Sequence, residues 1–387
     1  MAWQLGRLRR PVRACRAFRP ENLSGRDRLE DRTVPTTLAP GFSQTVVVSG
    51  LNSPTAMAFA PDGRVFVAEQ DGTVVVVQNG QVLPTPFLKV NAFPSSERGL
   101  VGLALDPNFE VNHYVYIYYT TASAPFHNRV SRFTADGNVA EPGSETVLLE
   151  LDPINTKQIF QHVGGSLVFG ADGKLYVGVG DLGNKANAQL LKTRTGKILR
   201  INPDGTIPTD NPFYTRLKGP LRAIWAFGLR NPYTAAVDPV SGLYLINDVG
   251  LASWERIFPG APGANYGWPK VEGPNNNPRF THPLFAYPHG PNEVFGTAIT
   301  GGTFYRSASP TSFPSDFQGS YFFADLENDW IHRLRFINGQ AVVSDFADQT
   351  ADHPVALEVD AAGNLDYLSR GSGGPGAIYS IHFTPPT

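Results

Sequence analysis

From Gly41 onward the chain alternates apolar and polar positions in short runs, each bounded by a turn signal such as Asp-Gly or Asn-Gly. Such period-2 runs predict half-buried strands rather than helices. The clearest stretch is QHVGGSLVFGADGKLYVGVGD, Gln161 to Asp181. Its runs Ser166–Phe169 and Lys174–Val179 flank Ala171-Asp172-Gly173, where glycine makes the positive φ of a tight turn cheap, so a hairpin is predicted. Antiparallel strands joined this way bring their free ends to one sheet edge. Gln161 and His162 precede the first strand and Asp181 follows the second, so a histidine and an acid are expected side by side.

The same unit recurs: a strand, a turn, a second strand, a polar loop and a third strand. Copies span Ala56–Gly80, Gly99–Gly137, the hairpin above up to Gly205, Tyr233–Gly260, a fifth ending at Gly339, and Val355–Phe383. Six repeats of three clear strands and a less regular fourth predict an all-β fold, a six-bladed β-propeller. The lone run Ser43–Val48 is expected to supply the outer strand of the last blade, closing the ring and removing exposed sheet edges. Two β-sandwich domains are the alternative, which accounts for the strands but not for the repeat.

Composition changes the picture mainly at the start. With 39 glycines, 33 prolines and only 17% charged residues, the chain has the profile of many short strands and turns. Residues 1–33 carry nine arginines against four acids, about +5, which leaves the remainder near −7. This leader has no aromatic interleaving, which argues against a nucleic-acid site, and no segment is long and apolar enough to span a membrane. Residues 1–40 are therefore expected to be an unpacked export or processing segment with linker, and residues 41–387 a single propeller domain. A periplasmic or extracellular location follows as an expectation. The single cysteine, Cys15, excludes an intramolecular disulfide framework, and there is no zinc-type Cys/His spacing.

In a propeller, residues just before each innermost strand and just after the second strand gather at one mouth of the central channel. That geometry places Glu69, Gln70, Glu97, Arg98, Gln161, His162, Asp181, Arg230, Asn231, Asp248 to Leu251, Thr300, Asp325 to Asn328, His353 and Arg370 at the rim. A polar rim is also what any propeller mouth presents. The residue types nevertheless allow chemistry, because a neutral histidine suits proton abstraction near pH 7.

Five segments are similar to those of the glucose/sorbosone dehydrogenase family: ERGLVGLALDPNF (Glu97–Phe109), HVGGSLVFGADGKLYVGVGD (His162–Asp181), GKILRINPDGTIP (Gly196–Pro208), GLRNPYTAAVDP (Gly228–Pro239) and NYGWP (Asn265–Pro269). The stretch Asp248–Ile257 resembles a branch that includes the hedgehog-interacting propellers. The resemblance implies a soluble sugar dehydrogenase that uses pyrroloquinoline quinone (PQQ) and calcium, oxidises an aldose C1 hydroxyl to the lactone and passes electrons to an external acceptor. It implies His162 as the base, oriented by Gln161 where some members carry a carboxylate, so that His162 would be the weaker base here. It further implies Arg230 over the quinone oxygens, with Glu97, Asn231 and Thr300 as further cofactor contacts, and the Gly250 and Leu251 carbonyls as calcium ligands. The pattern departs in three places. The family histidine before Arg230 is Leu229, its fifth-blade lysine falls in the cation-free loop Asp325–Asn328, and its arginines before the sixth blade fall near His353 and Val355. Arg370 or Arg98 could replace those cations. Two other readings stay open, a catalytically silent propeller that binds a protein or carbohydrate, and a calcium-dependent lactonase.

Overall fold

The computed structural model describes residues 36–155, 162–289, 298–372 and 374–384. Six antiparallel sheets follow one another along the chain. Their innermost strands are Pro54–Phe59, Leu100–Leu105, Gly164–Phe169, Pro232–Val237, Ile299–Phe304 and Pro354–Val359. The next strands, Val65–Glu69, Tyr114–Thr120, Leu175–Val179, Tyr244–Asp248, Tyr321–Asp325 and Leu365–Ser369, are mostly buried on both faces between neighbouring blades. This is the six-bladed propeller, and the repeat rather than the sandwich alternative describes the chain. Helix is limited to Phe109–Asn112 and three 3₁₀ turns among the described residues. No helix there is long and apolar enough to cross a membrane.

The ring closes as the repeat requires. Strand Phe42–Leu51 pairs antiparallel with Gly376–Phe383, the third strand of the sixth blade. One boundary moves: Thr37–Leu38, expected in the leader, pairs with Asp348 and Ala347 on the outer strand of the fifth blade. The Thr36 hydroxyl adds a bond to the Gln349 carbonyl. Cys15 and the rest of the Arg-rich leader lie outside the described residues.

Each innermost strand slips register near its start, at Pro54/Ala56, Leu100/Gly102, Gly164/Leu167, Pro232/Thr234, Thr300/Thr303 and Pro354/Ala356. A bulge inserts an extra residue and re-aims the side chains beyond it. All six lie at the same end of the channel, so the mouth is built from irregular strand ends on a regular core.

At the other end of the sixth blade, Glu358 and Asp366 face each other across a strand pair. Burial pushes the Asp366 carboxyl up to about 7, partly offset by Ser380 and reinforced by Asp360, and one of its oxygens has no partner. Burial and the Asp366 charge push Glu358 up to about 8. Both groups bind protons more tightly in the folded chain than in the unfolded one. Their contribution is therefore most favourable below the ordinary carboxylate range and is lost as pH rises through the folded values. Going from pH 8.5 to pH 6 should raise the melting temperature by several degrees, and Glu358→Gln should flatten that slope. An unchanged slope in the variant would remove the pair as its cause.

Candidate active site

The third-blade hairpin brings its two ends together as its antiparallel pairing demands, Gly164 opposite Val179. His162 Nδ1 lies 2.7 Å from Asp181 Oδ1. Asp181 is 1% exposed and is held by two further donors, Gly183 N at 2.8 Å and Trp268 Nε1 at 2.8 Å. On the other side of the ring, Arg230 Nη2 donates to His162 Nε2 at 2.7 Å. A guanidinium has only donors, so Nε2 must accept and the imidazole proton must sit on Nδ1, donated to Asp181. The imidazole is thus neutral, in one tautomer, with its basic nitrogen turned to the cation.

His162 also carries a φ of 32°, in the left-handed region that costs a side-chain-bearing residue energy. The backbone beneath is correspondingly tight: a Cβ on Gly180 would lie 1.7 Å from the His162 carbonyl oxygen. Gln161 was expected to orient His162. Gln161 lies outside the described residues, and the carboxylate on the imidazole comes from Asp181, at the far end of the hairpin.

Arg230 is anchored from below. Asp248, 0% exposed, accepts from Arg230 N at 3.0 Å, Asn231 N at 2.8 Å and Arg256 Nη2 at 2.8 Å. Burial holds the Asp248 carboxyl above its usual range, against the pull of Arg256. Arg230 Nη1 donates to the Val249 carbonyl at 3.0 Å, while its Nε is buried without a partner. Burial lowers its pKa, with the charges of Asp181 and Asp248 opposing that shift. Asn231 Oδ1 accepts from Gly164 N at 2.9 Å and ties the fourth blade to the third. Leu229 is fully buried core.

Beside this group a cavity of about 270 Å³ opens at the channel mouth. Val101, Val163, Tyr233, Val249, Leu326 and Val355 make its apolar walls, and Gln70, Glu97, Asn231, Thr300, Glu327 and Arg370 its polar rim. Arg370 reaches Gln70 Oε1 at 2.6 Å. Glu97 has one buried oxygen without a partner, and its charge is felt at Arg230. The Thr300 hydroxyl donates to the Pro354 carbonyl at 2.6 Å, which leaves only its lone pairs for a ligand.

Several rim residues do not line the cavity. Arg98 turns back over the Phe93 ring at 4.8 Å and bonds Ser95, so of the two candidate replacement cations only Arg370 faces the cavity. Glu69 is tied to Asn52 N, and Asp325 collects the N–H groups of Ala298, Glu327 and Asn328. His353 donates its N–H to Asp329 and stays out of the lining.

In the loop after the fourth blade's second strand, Gly250 is buried and Leu251 is 54% exposed. Gly250 N donates to Glu255 at 3.0 Å. Leu251, Ala252 and Ser253 N donate to Glu272 Oε1 at 2.6, 3.0 and 3.2 Å. Burial pushes Glu255 up to about 7, eased by the His289 ring 2.8 Å away. Among the described residues no three His, Cys, Asp or Glu side chains cluster as a metal site. The hairpin's ends predict the neighbourhood of His162 and Asp181, whereas the roles of Trp268, Glu255 and Glu272 have no signal in the sequence, because each joins residues from separate segments. The one available signal was Asp181 at the end of the predicted hairpin.

The family model for glucose / sorbosone dehydrogenase matches residues 51–353. The aldose sugar dehydrogenase YliI of Escherichia coli is 27% identical over 320 residues, 78% of this chain and 82% of that protein. Quinoprotein glucose dehydrogenase B of Acinetobacter calcoaceticus is 27% identical over 318 residues, 74% of this chain and 64% of that protein, so the match spans less than two thirds of it. The PQQ-bound aldose sugar dehydrogenase of Streptomyces coelicolor superposes with a TM-score of 0.73 at 26% identity, covering 89% of this chain and 99% of that structure. The repeat, the mouth and the matched segments have one common account: the chain belongs to the glucose / sorbosone dehydrogenase family.

Proposed function

We propose that this protein is a sugar dehydrogenase that oxidises the C1 hydroxyl of an aldose to the lactone with PQQ and calcium and delivers the electrons to an external acceptor. The observation that carries this reading is the chain of contacts Asp181–His162–Arg230 beside an apolar-walled cavity.

The mouth residues fit a flat, anionic cofactor. Apolar walls suit its ring faces, Arg370 stands at the rim, and Arg230 keeps a buried Nε–H without a protein acceptor. Arg370 and Arg230 would hold its anionic groups. The Gly250 and Leu251 carbonyls would hold calcium, a hard cation suited to such oxygens. The quinone, when bound, supplies the hydride acceptor.

The protein's own part is proton transfer and orientation. His162 Nε2 takes the C1 hydroxyl proton once the incoming hydroxyl displaces Arg230 from its lone pair. Asp181 then faces an imidazolium and stabilises it, while Trp268 and Gly183 keep the carboxylate from turning. Arg230, released toward the cofactor, offers a fixed positive charge where negative charge develops. Export of the chain to an oxidising compartment is part of the proposal, supported by the Arg-rich start and the single cysteine.

The test is direct titration of the full chain with PQQ in the presence of calcium, followed by cofactor absorbance. Saturable, calcium-dependent binding is expected. Arg370→Ala should raise the Kd about 10- to 100-fold, the scale of one charge-assisted bond. Absence of binding by the parent chain would overturn the reading.

A further inference from the structure

Four consecutive backbone N–H groups in the Gly250 loop end on carboxylates. Gly250 N meets Glu255, and the next three all meet a single oxygen of Glu272. In a planar trans peptide the N–H of one residue and the carbonyl of the residue before it point to opposite sides. Holding the Leu251 and Ala252 N–H groups on Glu272 therefore turns the Gly250 and Leu251 carbonyls away from it. The preceding peptide marks the side opposite the carboxylates: its N–H is on Glu255, and its carbonyl, that of Val249, accepts from Arg230 at the mouth.

Neither the Gly250 nor the Leu251 carbonyl accepts a hydrogen bond from protein among the described residues. Gly250 is buried, and a buried carbonyl needs a partner. The turn that leaves these oxygens without a protein donor depends on glycine, since a Cβ at Gly250 would lie 1.9 Å from the Trp254 carbonyl oxygen and 3.0 Å from Glu272. Leu251, Ala252 and Ser253 are exposed, and their backbone donors converge on one atom, while the Ser253 carbonyl accepts from His289 N at 3.0 Å.

We infer that Glu272 is a positioning residue for a divalent cation at this mouth, acting as a clasp that pre-aims the Gly250 and Leu251 carbonyls. The inference rests on the proposed quinone and calcium reading. Glu272 touches neither cation nor substrate. It comes from a loop 21 residues downstream of Leu251, and its role is visible only in the backbone bonds it gathers. Orienting groups of this kind carry about 10- to 100-fold in metal affinity.

The experiment measures the calcium concentration that half-saturates PQQ binding, by cofactor absorbance, for the full chain and for Glu272→Ala and Glu272→Gln, with PQQ affinity in EDTA measured alongside. Glu272→Ala should raise the calcium requirement at least tenfold and leave the EDTA affinity within twofold. Glu272→Gln, which keeps an oxygen acceptor, should fall between parent and alanine variant, and it alone is read if the alanine variant does not fold. A calcium requirement unchanged in the variants would overturn the clasp while leaving the quinone reading intact. Equal losses with calcium and with EDTA would also overturn it, as general damage to the mouth. If the parent chain binds no PQQ at all, the functional reading falls and the clasp with it.

Discussion

His162→Ala is expected to lower kcat for aldose oxidation by about 10²- to 10⁴-fold, the range that a positioned general base supplies. The argument starts from the tautomer. Arg230 donates to Nε2 and Asp181 accepts from Nδ1, so the resting imidazole carries its lone pair on Nε2, the nitrogen that Arg230 meets. Removing the ring removes the proton acceptor and leaves the cavity walls in place, because His162 is absent from the cavity lining. PQQ affinity should therefore stay within about threefold of the parent while turnover collapses. Stopped-flow reduction of the bound quinone by sugar, set against equilibrium PQQ titration, separates the two. A variant retaining a third or more of the parental rate would eliminate His162 as the base.

Asp248→Ala is expected to cost about 3–5 kcal/mol of stability, the scale for breaking a buried ion pair. Asp248 and Arg256 are 0% and 1% exposed, and their contact at 2.8 Å lies beneath the mouth. The substitution would leave Arg256 as a buried charge without its carboxylate, with one nitrogen already lacking a partner. It would also free the N–H groups of Arg230 and Asn231 in a region closed to water. With an unfolding entropy of about 2.1 cal/mol/K per residue, the melting temperature should fall by roughly 5 °C. The loop that carries Arg230 should loosen at the same time, so PQQ binding should weaken even below the transition. A melting temperature within 2 °C of the parent would show that the pair carries no structural weight.

Much of the architecture could be read from the chain because its information is local. Alternation, turn glycines and a six-fold repeat set the number of blades, and the unpartnered run at Ser43–Val48 could only close the ring. The juxtaposition of His162 and Asp181 follows from a single hairpin, whose ends must meet whatever the rest of the fold does. The fifth blade's extra strand was missed for the opposite reason. Thr37–Leu38 is too short to carry a pattern, and it is ordered by a partner about 310 residues away.

At the mouth, the same local information stopped deciding. Side chains on a strand alternate between faces, so one inserted residue exchanges which of two neighbours faces the channel. Every innermost strand here has such a bulge near its start, next to the rim. Glu97 and Arg98 are adjacent in the chain, yet Glu97 lines the cavity and Arg98 lies back over Phe93. Arg370 faces the cavity and His353, which also lies near the sixth blade's mouth, does not. The carboxylates that hold Arg230 and the Gly250 loop come from other strands and loops, Asp248, Glu255 and Glu272. Alternation and turn signals thus determined the strands, the ring and the two polar ends of one hairpin. Which rim groups converge, and which way the backbone carbonyls turn, was decided by packing between blades, because bulge phase and long-range hydrogen bonds have no local signature in the chain.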